Sequence, residues 1–315
     1  MSDVARPALA RPLAQDRAKH IVDVLIEERA PRLSASPFWP LLRPPLYQIL
    51  NYAKARRMAD DIAPRGGVDA LDSISALLRL NVETVGIENA RRNGAFLILA
   101  NHPTGITDGI ALYDAVKPIR PDLLFYANSD AHRVCAQFDD VLIPVEWVMH
   151  KRTRERTRLT LKMTAEAFEA GKPLMIFPAG RLARERNGLV VDPEWQTSAL
   201  SLARKYQLPI VPVHVTGPYA TLFHLFDKFS PELRDITLFH ELLNKHGKTY
   251  RLIFGTAIGP EAIVAAGDST AASRRVKYFI ERVLANDPKA QFDPAGSECP
   301  YRDPPKPGEP AKVDQ

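Results

Sequence analysis

Cysteine is nearly absent. The two thiols, Cys135 and Cys299, stand far apart in 315 residues. They supply neither a disulfide framework nor a thiolate metal cluster, and a reducing cytoplasm is the expected compartment. Long apolar runs are missing as well. The first residues lack the continuous hydrophobic stretch of a secretory signal, and no window reaches the roughly 18 apolar residues of a membrane-spanning helix. Membrane contact is therefore expected to be peripheral, on the cytoplasmic face. Absent too are Gly-rich nucleotide loops, the nucleophile elbow of serine hydrolases, and paired metal-ligand spacing among the eight histidines, so no cofactor and no metal are expected. Strong net charge is also lacking: 42 Lys and Arg against 37 Asp and Glu give +5. Such a mild excess suits anionic headgroups or CoA phosphates without requiring either. Nucleic acid is disfavoured, because the basic residues are not interleaved with aromatics and no binding module is present.

What is present describes an ordinary globular chain, 45% hydrophobic and 25% charged. Residues 1–80 read as an N-terminal helical region. Ile21, Val22, Leu25 and Ile26 share one helical face, as do Leu46, Ile49, Leu50 and Ala53, then Leu71, Ile74, Leu77 and Leu78. Between the first two faces, residues 36–47 gather Phe38, Trp39, Leu41, Leu42 and Tyr47 among prolines. They fit either a bilayer interface or a bent segment packed on the core. From residue 81 short apolar runs alternate with helical stretches: 96–100, 123–126, 141–145, 174–177, 210–215 and 250–254. This pattern predicts an α/β domain over 81–286, a largely parallel mixed sheet flanked by helices. Asp192 and Pro193 read as the N-cap and first turn of a helix carrying Trp195, Ala199, Leu202, Ala203 and Tyr206, and Gly171 as the stop of another. Val276, Phe279, Ile280, Val283 and Leu284 mark a last helix. Residues 287–315 are proline-rich and poor in aliphatics, and are expected to be a mostly disordered tail.

The segment richest in chemistry is Asn101-His-Pro-Thr-Gly-Ile-Thr-Asp-Gly109, between a strand end and a helix start, where α/β sheets hold ligands. His102 supplies an imidazole, the side-chain type suited to taking and giving a proton near neutral pH, and Asp108 is placed to orient its ring. No nucleophile adjoins them, so the pair suits direct deprotonation of a substrate hydroxyl. The same residues also fit a simple capped turn. A second segment, Phe177-Pro-Ala-Gly-Arg-Leu-Ala-Arg184, follows another strand and brings backbone amides and Arg181 to the same edge, as an anion site would. A third, Pro209-Ile-Val-Pro-Val-His-Val-Thr-Gly217, adds a buried strand in which His214 reads as a satisfied core or edge histidine. Lys151, Arg152, Arg154, Arg156, Arg158 and Lys162 form the densest basic run, with Arg154, Arg158 and Lys162 on one helical face.

In this order and spacing the three segments resemble the glycerolipid acyltransferase superfamily, which pairs Asn-His and a following Asp with a Phe-Pro-Glu-Gly-Thr-Arg turn and a Pro-Ile-Val-Pro-Val strand. The resemblance covers about residues 81–262. It implies that His102 is the general base, Asp108 its orienter and Arg181 a ligand for an acceptor phosphate. Asn101, Thr104, Gly105, Phe177, Pro178 and Gly180 would line the substrate, and Arg152 is the nearest equivalent of a further family arginine. It also implies an acyl thioester donor, acyl-CoA or acyl carrier protein, and a lysophospholipid or glycerol-phosphate acceptor, with amides of the His102 or Gly180 turn holding the oxyanion. Two features depart from the family pattern: five residues rather than four separate His102 from Asp108, and Ala179 and Arg181 replace Glu and Thr. They leave open an acyltransferase for a lyso-aminolipid and a non-catalytic lipid-binding or membrane-adaptor protein on the same fold.

Overall fold

Alternate residues of a strand face opposite ways, so a strand buried at every position must lie in a sheet covered on both sides. That is the situation of the central run. Leu97, Ile98, Leu99 and Ala100 are all fully buried, Ile98 and Ala100 in one apolar cluster and Leu97 and Leu99 in another. The computed structural model describes residues 19–90, 92–146, 153–186 and 188–298. Its strands are β1 (Asn81–Val85), β2 (Leu97–Ala100), β3 (Leu124–Asn128), β4 (Leu142–Val145), β5 (Leu174–Ile176), β6 (Arg184–Arg186), β7 (Leu189–Val191), β8 (Ile210–Thr216) and β9 (Thr249–Phe254). Seven form one sheet in the order β1-β9-β8-β2-β5-β3-β4, parallel at every pair except β8 with β9. The expected mixed, largely parallel sheet is therefore the architecture. β6 and β7 make a separate antiparallel hairpin.

Strand β1 went unpredicted because four of its five residues are exposed, so an edge strand reads as polar chain. The N-terminal helices cover one face of the sheet, with Val22, Ile26, Leu46, Leu50, Leu71, Ile74 and Leu78 in its core. The second helical face is shorter than expected. Asn51 adopts φ 53 and breaks it into Trp39–Ile49 and Tyr52–Ile62, leaving Ile49 and Ala53 exposed. The proline-rich segment divides likewise. Trp39 and Tyr47 turn inward, whereas Phe38 (66% exposed), Leu41 (75%) and Leu42 (44%) face outward. Among the described residues no helix is long and apolar enough to cross a membrane.

Two further expectations are corrected. The helix placed at Asp192 is Ser198–Lys205, capped by Thr197, because the Asp192 carboxylate is drawn into the core instead. The chain also does not leave the fold after residue 286. Phe292 packs edge-on against Phe279 at 5.6 Å between centroids, and Arg275 Nη1 donates to the Pro294 carbonyl at 3.0 Å, so 287–298 are docked; 299–315 lie outside the described residues.

A buried ion pair fixes the segment that leaves β8. Lys245 Nζ lies 2.9 Å from Glu241 Oε2, both nearly inaccessible, and Glu241 Oε1 accepts from the Phe223 amide at 3.2 Å. Removing one partner strands the other charge in the core. Lys245→Ala is expected to destabilise the protein by about 3–5 kcal/mol, read from urea unfolding, while a Lys162→Ala control on the exposed pair with Glu166 (3.7 Å) costs at most about 1 kcal/mol.

Candidate active site

Parallel neighbours deliver their carboxyl ends to the same edge of a sheet. At that edge β2 releases residues 101–105 ahead of helix Ile106–Val116, and β5, its neighbour, releases residues 177–183. Because β9 runs antiparallel to β8, its beginning also arrives there, carrying Tyr250. Three segments distant in sequence thus meet around His102.

Asp108, the third residue of helix Ile106–Val116, reaches back over its own N-terminus. Its Oδ2 accepts from His102 Nδ1 (2.9 Å), Thr104 N (2.9 Å) and Gly105 N (3.1 Å), and its Oδ1 from Thr104 Oγ1 (2.5 Å). The carboxylate is wholly buried, and four donors compensate the loss of water. Thr104 Oγ1 commits its proton to Asp108, so Tyr250 must donate across their 2.8 Å contact. Tyr250 suits that role: burial, and next the Asp108 charge, push its phenol well above the ordinary range and keep it protonated. The fifth residue between His102 and Asp108 is absorbed in this wrap. Gly105 takes φ 104, and a Cβ there would meet Leu182 Cδ2 at 3.0 Å, so glycine serves both conformation and space.

Since Nδ1–H of His102 donates to Asp108, Nε2 carries the lone pair. It has no hydrogen-bond partner among the described residues, and the side chain is 14% exposed. The ring stacks on Phe177, centroids 4.1 Å apart and planes at 22°. The backbone is held at both ends, His102 N donating to Asp192 Oδ1 at 3.0 Å and His102 O accepting from Ala183 N at 2.9 Å. Such an imidazole is fixed in plane and tautomer.

The other expected residues distribute as follows. Asn101 and Thr104, both expected at the substrate, have their side chains turned to the protein: Asn101 bridges the backbone of Val215, donating at 3.0 Å and accepting at 2.7 Å. Gly180 (φ 61) closes its turn by donating to the Phe177 carbonyl at 3.0 Å, and the Pro178 carbonyl accepts from Gln196 N at 2.9 Å. Within the His102 and Gly180 turns, expected to hold an oxyanion, the amides of His102 and Gly180 themselves are engaged internally. Those of Arg181 and Leu182, one step along, donate to no described residue. Arg152 and Lys151 lie outside the described residues. His214 is structural: its Nδ1 donates to the Ile280 carbonyl at 2.9 Å.

Arg181 is exposed and forms no ion pair among the described residues. Arg184 is half-buried, 4.0 Å from the Asp227 carboxylate, which Arg234 engages more closely at 2.8 Å. Burial, and then the Arg234 charge with smaller contributions from Arg186 and Arg181, push the Arg184 guanidinium below its ordinary range. Positive charge thus gathers beside the His102 loop with Asp227 as the carboxylate shared by Arg184 and Arg234, an arrangement that an incoming anion would relieve.

Two residues were not assigned to the site from sequence. Tyr250 stood only within an apolar run, and nothing in that run signals an antiparallel strand. Asp192 looked like a helix cap. Its carboxylate instead accepts from His102 N and from Trp195 Nε1 (2.9 Å), and its own amide donates to Glu281 Oε1 at 2.8 Å. Among the described residues no three metal-ligating side chains cluster.

With this geometry in place, comparison with known proteins is informative. A family model described as Acyltransferase matches residues 81–216. Lyso-glycine lipid O-acyltransferase of Bacteroides thetaiotaomicron is 28% identical over 208 residues, 61% of this chain and 71% of that protein. The protein of the same name from Phocaeicola vulgatus is 28% identical over 222 residues, 68% and 77% of the two chains. Among solved structures, the 1-acyl-sn-glycerophosphate acyltransferase PlsC of Thermotoga maritima is similar over 84% of this chain and 91% of that one, at 17% identity and a TM-score of 0.43. The His102–Asp108 pair, the turn beside it and strand β8 all fall inside the matched span, so residues 81–216 form an acyltransferase domain.

Proposed function

We propose that the protein moves a fatty acyl group from a thioester, of CoA or acyl carrier protein, to the hydroxyl of an anionic lysolipid, with His102 as general base. The observation that carries this reading is the unpartnered Nε2 of an imidazole whose other nitrogen is fixed on a buried carboxylate. As the acceptor oxygen attacks the thioester carbon, its proton passes to Nε2, and Asp108 stabilises the imidazolium that forms. The negative charge of the tetrahedral intermediate falls to donors of the 181–182 turn. Collapse breaks the carbon–sulfur bond and releases the thiolate, which takes up the proton from His102. Ester and thiol are the products. An acyl-enzyme is unnecessary, and the neighbouring hydroxyl of Thr104 is already committed to Asp108.

The arginines supply the acceptor's anion site. A lyso-aminolipid acceptor is favoured over lysophosphatidate on two grounds: the turn carries Ala179 and Arg181 in place of the family's Glu and Thr, and both curated relatives are named for a lyso-glycine lipid. Phe38, Leu41 and Leu42, beside Arg43, form the surface through which the protein rests on the cytoplasmic face of a membrane. Arg154 and Arg158, exposed on the first turns of helix Arg154–Glu169, are placed to attract the phosphates of the donor.

His102→Ala is expected to lower thiol release from palmitoyl-CoA by roughly 10²–10⁴-fold, and an active variant would remove His102 from the mechanism. Arg184→Ala should raise KM for the acceptor about tenfold or more without changing KM for the donor, the loss of one charge-assisted contact. A panel of lysophosphatidate and lyso-aminolipid acceptors, read by lipid mass spectrometry, decides the acceptor. Phe38→Ser with Leu41→Ser should abolish sedimentation with vesicles containing an anionic lipid; unchanged binding would move the membrane surface elsewhere.

A further inference from the structure

We propose that Asp192 is a positioning residue for acyl transfer, setting the place of His102 through its backbone amide. This rests on the reading of His102 as the base. Asp108 fixes the ring, but a ring is aimed only as well as the main chain beneath it. The loop that carries His102 is non-helical and includes Pro103, which has no amide hydrogen, and Gly105, which has no side chain. Of the amides of residues 102–105, that of His102 is the one Asp108 does not serve, and it meets both oxygens of Asp192, at 3.0 and 3.3 Å.

Asp192 is 1% exposed. It arrives from outside the main sheet, directly after hairpin strand β7, and is anchored on two sides: Trp195 Nε1 donates to Oδ2 at 2.9 Å, and Asp192 N donates to Glu281 Oε1 at 2.8 Å. Glu281 lies in a π-helical turn, Phe279–Val283, and forms an ion pair with buried Lys277 at 3.1 Å. Burial and the Glu281 charge push the Asp192 carboxyl well up, whereas every neighbour of its oxygens is a donor. The hydrogen bonds therefore favour the carboxylate, and Lys277 offsets the repulsion. Two buried carboxyl groups and one buried ammonium form a costly arrangement for a loop support. Its product is a main chain held rigidly at His102.

The test compares Asp192→Asn, Trp195→Phe and His102→Ala in full-length protein, measuring kcat, both KM values and the thermal midpoint with the most active donor and acceptor pair. Asp192→Asn keeps the volume but turns a donor toward donors. It is expected to lose about 10–100-fold in kcat, as small misplacement of a catalytic group does, with both KM values unchanged. Trp195→Phe removes the other donor to the same carboxylate and should lower the thermal midpoint but cost clearly less in kcat than Asp192→Asn, because the contact of Asp192 with the His102 amide remains. Equal kcat losses in Asp192→Asn and Trp195→Phe would reduce Asp192 to a packing residue, and a fully active Asp192→Asn beside an inactive His102→Ala would overturn this proposal alone. An active His102→Ala would overturn the underlying reading instead. Should Asp192→Asn fail to fold, Asp192→Glu, which restores charge but displaces it by a methylene, must show the same selective loss of kcat, and an unaffected kcat there refutes the assignment.

Discussion

A carboxylate removed from water must be met by donors, and the way Asp108 meets that demand organises the catalytic edge. Two of its four donors are main-chain amides of the loop preceding its own helix, so satisfying the charge bends that loop into a single shape. The third is Thr104 Oγ1, which passes the constraint to Tyr250 on β9, and the fourth is the ring of His102. One buried charge therefore sets the helix start, the loop conformation, the tautomer of His102 and the docking of a distant strand. The desolvation cost is offset collectively, and loss of any one donor weakens the arrangement for the others.

The sheet and the His102–Asp108 pair were legible in sequence for a common reason. Strands β2, β5 and β8 are buried on both faces and so read as unbroken apolar runs, and a His and Asp following such a run can only emerge at its end. Where the signal failed, burial was partial or a polar side chain did something other than its usual local task. β1 is an edge strand with one face in water, and hairpin β6–β7 has only Val191 buried. Asp192 followed by Pro193 is the commonest kind of helix start, yet the carboxylate answers a demand from 90 residues earlier. The relevant partner, an unsatisfied amide at His102, is a property of a folded loop and leaves no mark on local composition. Phe292 illustrates the opposite case: one aromatic and a few polar contacts such as Arg275 with the Pro294 carbonyl dock a proline-rich stretch whose average composition predicts disorder.

The N-terminal helices show how one amphipathic pattern divides its labour. Proline at 40, 44 and 45 fixes the helix Trp39–Ile49 at an angle that buries Trp39 and Tyr47 and turns Phe38, Leu41 and Leu42 out. Tyr47 and Tyr52 stack at 4.2 Å and both donate to Asp23, so the inward half is locked by aromatic and charged contacts rather than by aliphatic packing alone. A face of exposed apolar side chains on so firmly held a helix keeps a fixed geometry toward whatever it touches.

The antiparallel join of β8 and β9 has a consequence in time. Residues 101–105 are synthesised early, but the side chains that complete their support, Tyr250 and Glu281, come about 150 and 180 residues later. Until the last third of the chain has left the ribosome, the His102 loop lacks its far wall and the amide of Asp192 lacks its acceptor. The arrangement around His102 is thus withheld from partly made chains, because it is completed only by the last strand of the sheet in sequence order.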